Sequence, residues 1–431
     1  MRYCNRCLYP ENHPLHLTFD EDGVCSGCRV HEEKDTLDWT ARAERLEAIL
    51  SRYRGKGDAR YDCIVPVSGA RDSYFIVDMV RRRFGMNPLL ISYNRQFNTP
   101  RGIRNLAYLR TIFDRDYMQL ILAPDEVKAI TRETIHRIGS MYWHVLAGQT
   151  VFPVQVAVRL KIPLIIWGAH QGIDQVGMYS HTDEVEMTRK YRCEHDLMGI
   201  EAEDLIDGTE GLHERDLVQL MYPHDRELAR VGVRGIYLNN YLRWDSKRQH
   251  EDMIAAYDYE SAAQQRTFDT YNDVDCQHYS GLHDQVKFLK WGYGKVTDHA
   301  TREIRLRRMT REQGIEMVRR YADVEPRDKQ AFLDWVGMSA ADFDAAIDRF
   351  RDPRIWSLDN GTWTLRDSVL NHATDTAVEQ ARLTPAEPWH DFIVTGTRAP
   401  DEAEDEYVLM AKGYVPGVPA PTVVRPDTPT G

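Results

Sequence analysis

Long apolar runs and an excess of positive charge are both missing from this chain. No window of the 431 residues approaches the roughly 18 uninterrupted apolar residues that span a bilayer, and the start MRYCN leads into no apolar secretory segment. The 55 basic residues are outnumbered by 67 acidic ones, which gives a net charge of −12. We therefore expect a cytoplasmic protein with no membrane partner. The acidic balance also argues against nucleic acid as a main partner.

Cysteines are few and unevenly placed. Four of the seven form the pattern C-x2-C-x17-C-x2-C near the start of the chain: Cys4, Cys7, Cys25 and Cys28. Two close pairs at this separation can present four thiolates tetrahedrally to Zn²⁺, and a reducing compartment disfavours the alternative of two disulfides. Four ligands leave no open position, so the predicted zinc is structural. The remaining cysteines are scattered and are expected to be buried apolar residues: Cys63, Cys193 and Cys276.

Short apolar runs alternate with helical patterns from residue 61 onward. Strands are predicted at 63–67, 88–93, 118–122 and 163–168, with helices through about 84, after 100, through about 138 and over 151–160. Wholly apolar strands separated by helices indicate a parallel sheet covered on both faces. The predicted fold is therefore α/β, preceded by a zinc ribbon and followed by a mainly helical C-terminal part.

The stretch VPVSGARDS, residues 65–73, joins the first predicted strand to a helix. Its small residues allow backbone N–H groups to close around an anion, and a helix N-terminus adds a partial positive charge there. We predict a phosphate cradle from Ser68, Gly69, Ala70, Arg71, Asp72 and Ser73. Further nucleotide contacts are predicted at the carboxyl ends of neighbouring strands, from Ser92, Tyr93 and Gly168. An ordinary turn with an N-capping Asp or Ser is the alternative interpretation.

This loop lacks the Walker and G-x-G-x-x-G patterns but resembles the SGGxDS loop of the ATP pyrophosphatases, the PP-loop superfamily. Ala70 stands in place of the second glycine, and Arg71 stands where lysine is frequent. Roughly residues 1 to 365 resemble one branch of that superfamily, the N-acetyl sugar amidotransferases of bacterial surface-polysaccharide and nonulosonate pathways. The resemblance also includes FPVQVAVRLKIPLIIWG (152–168), VGVRGIYLNNYLRWD (231–245) and residues 281–315.

The resemblance implies an adenine-nucleotide alpha hydrolase-like core and an ATP-dependent reaction on an acetamido group. Transfer of AMP to the amide oxygen would let ammonia replace that oxygen, with release of AMP and pyrophosphate. Asp72 is expected to bind Mg²⁺, and Arg71 to neutralise developing charge. The acceptor would be a nucleotide-linked, specifically a UDP-linked, acetamido sugar. No glutaminase signature is visible, so the resemblance implies a separate glutaminase partner that supplies ammonia.

A second candidate catalytic segment is GYGKVTDH, residues 292–299. A lysine and an aspartate after two glycines suit a triphosphate and its Mg²⁺, which selects Lys295, Asp298 and His299. A helix start capped by Thr297 or Asp298 is the alternative. Five arginines follow, and we expect a partly solvated helical face paired with acids, with a sugar-diphosphate contact as the alternative: Arg302, Arg305, Arg307, Arg308 and Arg311.

Two departures from the family pattern lie where the acceptor is expected. Relatives commonly place Glu after the glycine of PLIIWG, whereas this chain has Ala169 and then His170. Relatives tend to carry a cysteine pair around a tryptophan, whereas this chain has Met141 and His144 around Trp143. These changes leave the acceptor open and make His170 a candidate acid or base, although a loop histidine is more often structural.

The predicted division of the chain has five parts. They are a zinc ribbon (1–35), a helical connector (36–58), a PP-loop core (59–200), a C-terminal part that completes the active site (201–390) and a disordered or surface-wrapped tail (391–431). Two other functions stay open. One is PP-loop thiolation of tRNA or a small-molecule amide, which needs a persulfide-carrying cysteine. The other is a non-catalytic domain that binds a nucleotide or a partner.

Overall fold

A five-stranded parallel sheet lies at the centre of the computed structural model, which describes residues 1–55 and 60–374. Its strands are β1 Cys63–Pro66, β2 Pro88–Tyr93, β3 Tyr117–Leu120, β4 Leu164–Trp167 and β5 Arg234–Tyr237. The spatial order is β3-β2-β1-β4-β5. Four strands correspond to those predicted, which confirms the α/β class. The fifth was not predicted, and it extends the sheet beyond residues 59–200.

The helices are connected to one another and to the sheet mostly by short loops. In chain order they are α1 Ser26–Glu32, α2 Trp39–Leu50, α3 Arg71–Asp78, α4 Pro100–Ile112, α5 Pro124–Ile138, α6 Trp143–Leu160, α7 Gln171–Asp174, α8 Arg189–Tyr191, α9 Glu214–Leu217, α10 Asp225–Val231, α11 Ser246–Tyr257, α12 Asp284–Trp291, α13 Lys295–Arg305, α14 Arg311–Tyr321, α15 Lys329–Val336 and α16 Ala340–Asp348. Residues Met79–Arg83 continue α3 as a π-helical turn.

Both faces of the sheet are covered because successive strand residues point to opposite sides. Ile64 of β1 packs with Val151 and Val154 of α6 on one face. Its neighbours Cys63 and Val65 lie in the cluster formed by α2, α3 and α11 on the other face. This two-sided burial explains why the strands are apolar at nearly every position.

Helix α6 is longer than the predicted segment 151–160 and contains a proline. Pro153 has no N–H, so it cannot bond the carbonyl of Gln149 one turn earlier. Apolar burial of most of the helix outweighs this missing bond. The unbonded carbonyl belongs to a residue that lines the cavity described below.

The C-terminal part is mainly helical, from α9 to α16, and it also contains a hairpin that was not predicted. Strands β6 Trp356–Asp359 and β7 Thr362–Leu365 pair antiparallel. Asn360 and Gly361 connect them with φ of +50° and +80°, the left-handed conformation of a tight hairpin turn.

The predicted domain boundaries stay predictions. Cys4 and Cys28 of the cysteine module share one hydrophobic cluster with Val296 and Ile304 of α13, so this packing crosses the boundaries at 35 and 200. The predicted tail, 391–431, lies outside the described residues. Within the part of the chain that the structure describes, no helix has the length and apolar character needed to cross a membrane.

Candidate active site

The loop between β1 and α3 lies where the order of the strands reverses. From β1 the chain proceeds to β2 and β3 on one side, then crosses to β4 and β5 on the other. In open parallel sheets, ligands bind in the crevice at the carboxyl ends of the strands at this switch point. Residues 68–73 therefore occupy the position at which this class of fold binds nucleotides.

Hydrogen bonds within the loop hold its backbone in a tight curve. The amide of Ser68 donates to Oγ of Ser73 over 3.0 Å, and the amide of Ala70 donates to Oγ of Ser68 over 3.2 Å. No side chain caps the start of α3 at Arg71. The N-capping Asp or Ser of the alternative interpretation is not observed at this helix, whose start lies at the crevice.

Glycine is required at position 69, whereas alanine fits at position 70. Gly69 has φ of +83°, and a Cβ atom there would lie 2.9 Å from Cβ of Leu106 on α4. Ala70 has an extended backbone, with φ of −78° and ψ of 169°, which any residue adopts. The replacement of the family's second glycine by Ala70 therefore does not strain the loop.

A cavity of about 180 Å³ opens beside the loop. Its lining joins the loop to β2, β4 and α6: Pro66, Val67, Ser68, Asp72, Ser73, Ile76, Ile91, Ser92, Tyr93, Arg95, Gly148, Gln149, Pro153 and Trp167. Ser92 and Tyr93 thus share one cavity with three loop residues. Gly168 does not line it and instead packs closely against Ile76, whose Cδ1 would lie 2.9 Å from an added Cβ.

Asp72 and Arg71 form a contact pair at the start of α3. Burial raises the pKa of Asp72, the positive charges of Arg71 and Arg302 oppose this rise, and the negative charge of Asp174 adds to it. Nε of Arg71 donates to Oδ1 of Asn272 over 2.6 Å. The arginine is therefore held from a segment 201 residues further along the chain.

Residues 267–275, which we call the bridging segment, connect the loop to α13. Nδ2 of Asn272 donates to Oδ2 of Asp269 over 2.6 Å and lies 3.2 Å from Nε2 of His299. Asp269 is fully buried and also accepts from Arg302 over 2.8 Å. His299 and Arg302, together with Lys295, project from one face of α13 because residues three to four apart are neighbours on a helix.

His299 is neutral, and its tautomer follows from its partners. Nε2 accepts from the Asn272 amide, so the proton is on Nδ1, which donates to Oγ1 of Thr267 over 2.8 Å. Burial lowers the pKa of His299 to about 3, although the nearby charge of Asp269 opposes this shift. The ring therefore positions Asn272 rather than carrying a charge.

Lys295 presents a buried ammonium group to the bridging segment. Its residue is only 7% exposed, and Nζ has no hydrogen-bond partner among the described residues. The nearest carboxylate oxygen in an ion pair is Oδ2 of Asp273, at 3.5 Å. Buried polar groups are normally bonded, so this group is available to a ligand.

Asp298 lies on another face of α13, and its partners are different. Its Oδ1 accepts from the hydroxyl of Tyr9 over 3.0 Å and from Nε2 of Gln175 over 3.3 Å. Its Oδ2 lies 2.5 Å from Nζ of Lys287. The structure therefore brings Lys295 and His299 together with the loop, whereas Asp298 contacts the cysteine module.

The four cysteines of the N-terminal module form a compact cluster. Their Sγ atoms all lie within 4.8 Å of one another, with Cys4 and Cys28 at 4.0 Å and Cys7 and Cys25 at 3.7 Å. Tetrahedral zinc with Zn–S bonds near 2.3 Å requires Sγ separations of about 3.8 Å. The cluster can therefore hold Zn²⁺.

Arg305 of α13 completes the surroundings of this cluster. Its guanidinium nitrogens lie 3.5 Å from Sγ of Cys28 and 3.5 Å from Sγ of Cys25. A Cβ on Gly27 would lie 2.2 Å from Nη2 of Arg305, and one on Gly177 would lie 2.3 Å from the carbonyl oxygen of Ser26. The module thus contacts α13 and the segment after α7 through bare backbone.

The expectation of a partly solvated arginine face is wrong. Of the five arginines, only Arg307 is exposed, where it pairs with Asp35. Arg308 is buried and pairs with Asp245, and the buried Arg311 donates to the carbonyl of Cys7. These arginines bond to other parts of the same protein, and the bond of Arg311 ties α14 to the cysteine module.

The residues that depart from the pattern of the resembled family are not among those that line the cavity. Nδ1 of His144 shares a hydrogen bond of 3.0 Å with the hydroxyl of Tyr93. Burial lowers the pKa of His144 to about 3. Met141 is buried in a separate cluster. His170 packs against Tyr191 and Tyr237, and burial lowers its pKa to about 3 as well, which does not favour a role as an acid at neutral pH.

The scattered cysteines are mostly buried, as expected. Cys63 and Cys276 are fully buried, and burial raises the pKa of both thiols, that of Cys276 to about 12. Cys193 is only partly buried, and its pKa is raised too. None of these three is an activated thiolate.

Sequence reasoning missed the bridging segment and the polar end of the cavity. Arg95 lines that cavity and lies 2.7 Å from Oδ2 of Asp275. The segment TFDTYNDVD contains three aspartates and an asparagine in nine residues without helical spacing. That density of short polar side chains was the available signal, but it identified no partner.

Comparison with known proteins matches part of the chain. A family model described as "LPS biosynthesis protein WbpG-like, C-terminal domain" matches residues 265–369, which is less than half of the chain. The match includes the bridging segment and α13. This part of the chain is therefore similar to a domain of lipopolysaccharide biosynthesis proteins.

Two other similarities are weaker. An uncharacterized protein of Methanocaldococcus jannaschii is 21% identical over 117 residues, which are 27% of this chain and 42% of that protein. The structure of NMN synthetase from Francisella tularensis is 12% identical, with a TM-score of 0.27, and the match covers 50% of this chain and 96% of that one. We base no argument on a structural similarity at this level.

Proposed function

We propose that the protein is an ATP-dependent, AMP-forming amidotransferase that converts the N-acetyl group of a UDP-linked sugar into an acetamidino group. One observation carries the proposal: an uncapped loop at the switch point of the sheet is bonded, through Arg71 and Asn272, to the segment that matches the lipopolysaccharide biosynthesis domain. This bond supports a single site made of the loop and the segment similar to lipopolysaccharide biosynthesis proteins.

The loop would bind the pyrophosphate that leaves ATP. N–H groups at the start of α3 and the guanidinium of Arg71 offset its charge, and Lys295 contributes a buried positive charge from α13. Asp72, which lines the cavity, would bind Mg²⁺. This ion would neutralise phosphate charge when bound.

The site would suit adenylylation because its positive groups would lie where negative charge develops on the leaving pyrophosphate. An amide oxygen is a poor leaving group, but it leaves readily once it is bonded to AMP. His299 would act by fixing Asn272, which in turn fixes Arg71. Ser92 and Tyr93 would contact the nucleotide from β2, with His144 orienting the Tyr93 hydroxyl.

Ammonia would come from a separate glutaminase, and the acceptor would enter beside the cavity. The thiolation alternative requires a reactive cysteine, and the raised pKa values of Cys63, Cys193 and Cys276 count against it. The non-catalytic alternative is disfavoured by the buried Lys295 ammonium group, which has no hydrogen-bond partner among the described residues.

The test uses the purified full chain with ATP, Mg²⁺, ammonium chloride and a panel of UDP-linked acetamido sugars. We expect AMP and pyrophosphate, with a product that mass spectrometry shows to have gained nitrogen and lost oxygen. Asp72→Asn keeps the side-chain shape but removes the charge, and should slow turnover by on the order of a hundredfold or more. Release of ADP, or no ATP-dependent product with any sugar of the panel, would refute the proposal.

A further inference from the structure

Three of the four residues 272–275 contact side chains of the candidate site. Asn272 bonds Arg71 of the loop, and Asp275 pairs with Arg95 of the cavity wall. Adjacent Cα atoms are only about 3.8 Å apart, so Asp273 lies between these two anchors. The backbone of Asp273 is therefore fixed from both sides, by one contact that reaches the loop and one that reaches the cavity wall.

Asp273 also has unusual surroundings for a carboxylate. Its backbone is left-handed, with φ of +53°, a conformation that glycine adopts without strain. Its partner Lys295 is more than nine-tenths buried, and the ammonium group has no hydrogen bond within the described residues. The two side chains form an ion pair at 3.5 Å in which the ammonium group makes no hydrogen bond to the described residues.

A ligand that bonds both members of the pair must accept from the ammonium group and donate to the carboxylate. The amidine-forming centre does so, because its nitrogen carries N–H groups and its oxygen carries lone pairs. We propose that Asp273 is a catalytic base of the proposed amidotransferase, which takes a proton from the attacking ammonia nitrogen. The inference rests on the proposed function.

The proposed step balances as follows. The nitrogen lone pair of ammonia forms a bond to the carbon of the O-adenylylated amide, and the C=N π pair moves onto the sugar nitrogen, from which a C=N bond can form again when AMP leaves. The attacking nitrogen is then positively charged. Asp273 takes one proton from that nitrogen, and the carbon–oxygen bond to AMP then breaks, with its electron pair leaving on AMP. The product is an amidinium ion, and the proton on Asp273 passes to solvent.

The charges around Asp273 suit a base that works near neutral pH. Burial raises its pKa to about 6, and the negative charges of Asp275 and Asp269 act in the same direction. The positive charges of Lys295 and Arg95 oppose the rise. At pH 7 the group is therefore mostly ionised, yet basic enough to accept a proton.

The experiment separates adenylylation from nitrogen transfer. The first is measured as sugar-dependent exchange of labelled pyrophosphate into ATP without ammonia, using the UDP-linked acetamido sugars above. The second is measured as amidine formed per free ammonia between pH 5 and 9. Asp273→Asn should retain exchange within about threefold, lose amidine formation by about 10²–10⁴-fold, and lose the wild-type decline below pH 6. Asp273→Glu should recover part of the rate.

Asp352→Asn is the matched control, since Asp352 is also buried, pairs with an arginine at 2.6 Å and lies in the same matched segment. It should leave both measurements unchanged. Equal losses of exchange and amidine formation in Asp273→Asn, or an unchanged decline below pH 6, would overturn the role of Asp273 alone. Absence of both activities in the wild-type protein would overturn the proposed function, and this inference with it.

Discussion

The two faces of α13 differ in how fully their polar groups are bonded. On the face toward the cysteine module, Asp298 has three partners and Arg305 reaches two sulfur atoms. On the face toward the phosphate loop, the ammonium group of Lys295 has no hydrogen bond among the described residues. Complete bonding indicates a structural role, whereas an unfilled group indicates a place for a ligand.

The largest expected effect comes from removing one of the four cysteine thiolates in the cysteine module. Cys25→Ser removes one thiolate and should lower zinc content from about one per chain to a small fraction of that value. The module should then unfold, because structural zinc supplies much of the folding free energy of such small units. Metal analysis and thermal unfolding measure this effect. Cys193→Ser is the control. A protein that is stable and soluble without zinc would contradict the structural role of the metal.

The face of α13 toward the loop is tested by replacing Lys295. Lys295→Met removes a charge that has no hydrogen bond among the described residues but leaves Asp273 without its ion-pair partner at 3.5 Å, so the melting temperature should fall less than in Asp298→Asn. Turnover should fall by on the order of a hundredfold, as expected for loss of one electrostatic contact with the transition state. Steady-state AMP release and thermal unfolding give the two values. A fall in stability without a change in turnover would show that Lys295 has a structural role instead.

Asp298 should show the opposite behaviour. Asp298→Asn leaves Lys287 without its charge partner and should lower the free energy of unfolding by about 2–3 kcal/mol. Turnover at low temperature should change by less than tenfold, because the side chain contacts the module rather than the loop. Urea unfolding and AMP release test this together. A hundredfold loss of turnover at unchanged stability would make Asp298 catalytic, as the sequence alone suggested.

The smallest expected effect concerns pH. The pKa of His299 is about 3 in the folded protein and near 6.5 in the unfolded chain, so the unfolded chain binds more protons below pH 6.5. Stability is therefore lost as pH falls from 6.5 toward 3. His299→Gln removes this term and should reduce the loss between pH 7 and pH 5 by about 2 kcal/mol. Urea unfolding at both pH values tests it; identical losses would show that His299 titrates normally.

Local sequence patterns predicted the parts of this molecule that depend on neighbouring residues. Strand β2 occupies 88–93 as expected, because an unbroken apolar run between two turns can only be buried. The cysteine cluster followed from two short spacings. Strand β5 was missed since it begins with an arginine and follows a short helix. The hairpin at Asn360 carried a readable Asn-Gly signal that was overlooked.

Only part of the candidate site could be predicted from the sequence. The loop could be identified because its small residues and helix start are contiguous. The contact of Arg71 with Asn272 spans 201 residues, and no periodicity or spacing encodes such a pairing. For the same reason, Lys295 and Asp298 looked equivalent in GYGKVTDH, although three helical positions turn their side chains to different surroundings.

The bare-backbone contacts of Gly27 and Gly177 have a consequence for how the molecule unfolds. A Cβ at either position would lie within 2.3 Å of a neighbouring atom, so the surfaces in contact here cannot separate slightly and repack around a new side chain. Release of the module would also break the contacts of Arg305 with two cysteines and the bond of Asp298 with Tyr9 at once. The module and α13 therefore melt together as one cooperative unit, and the first 35 residues cannot be exchanged between proteins as an independent cassette.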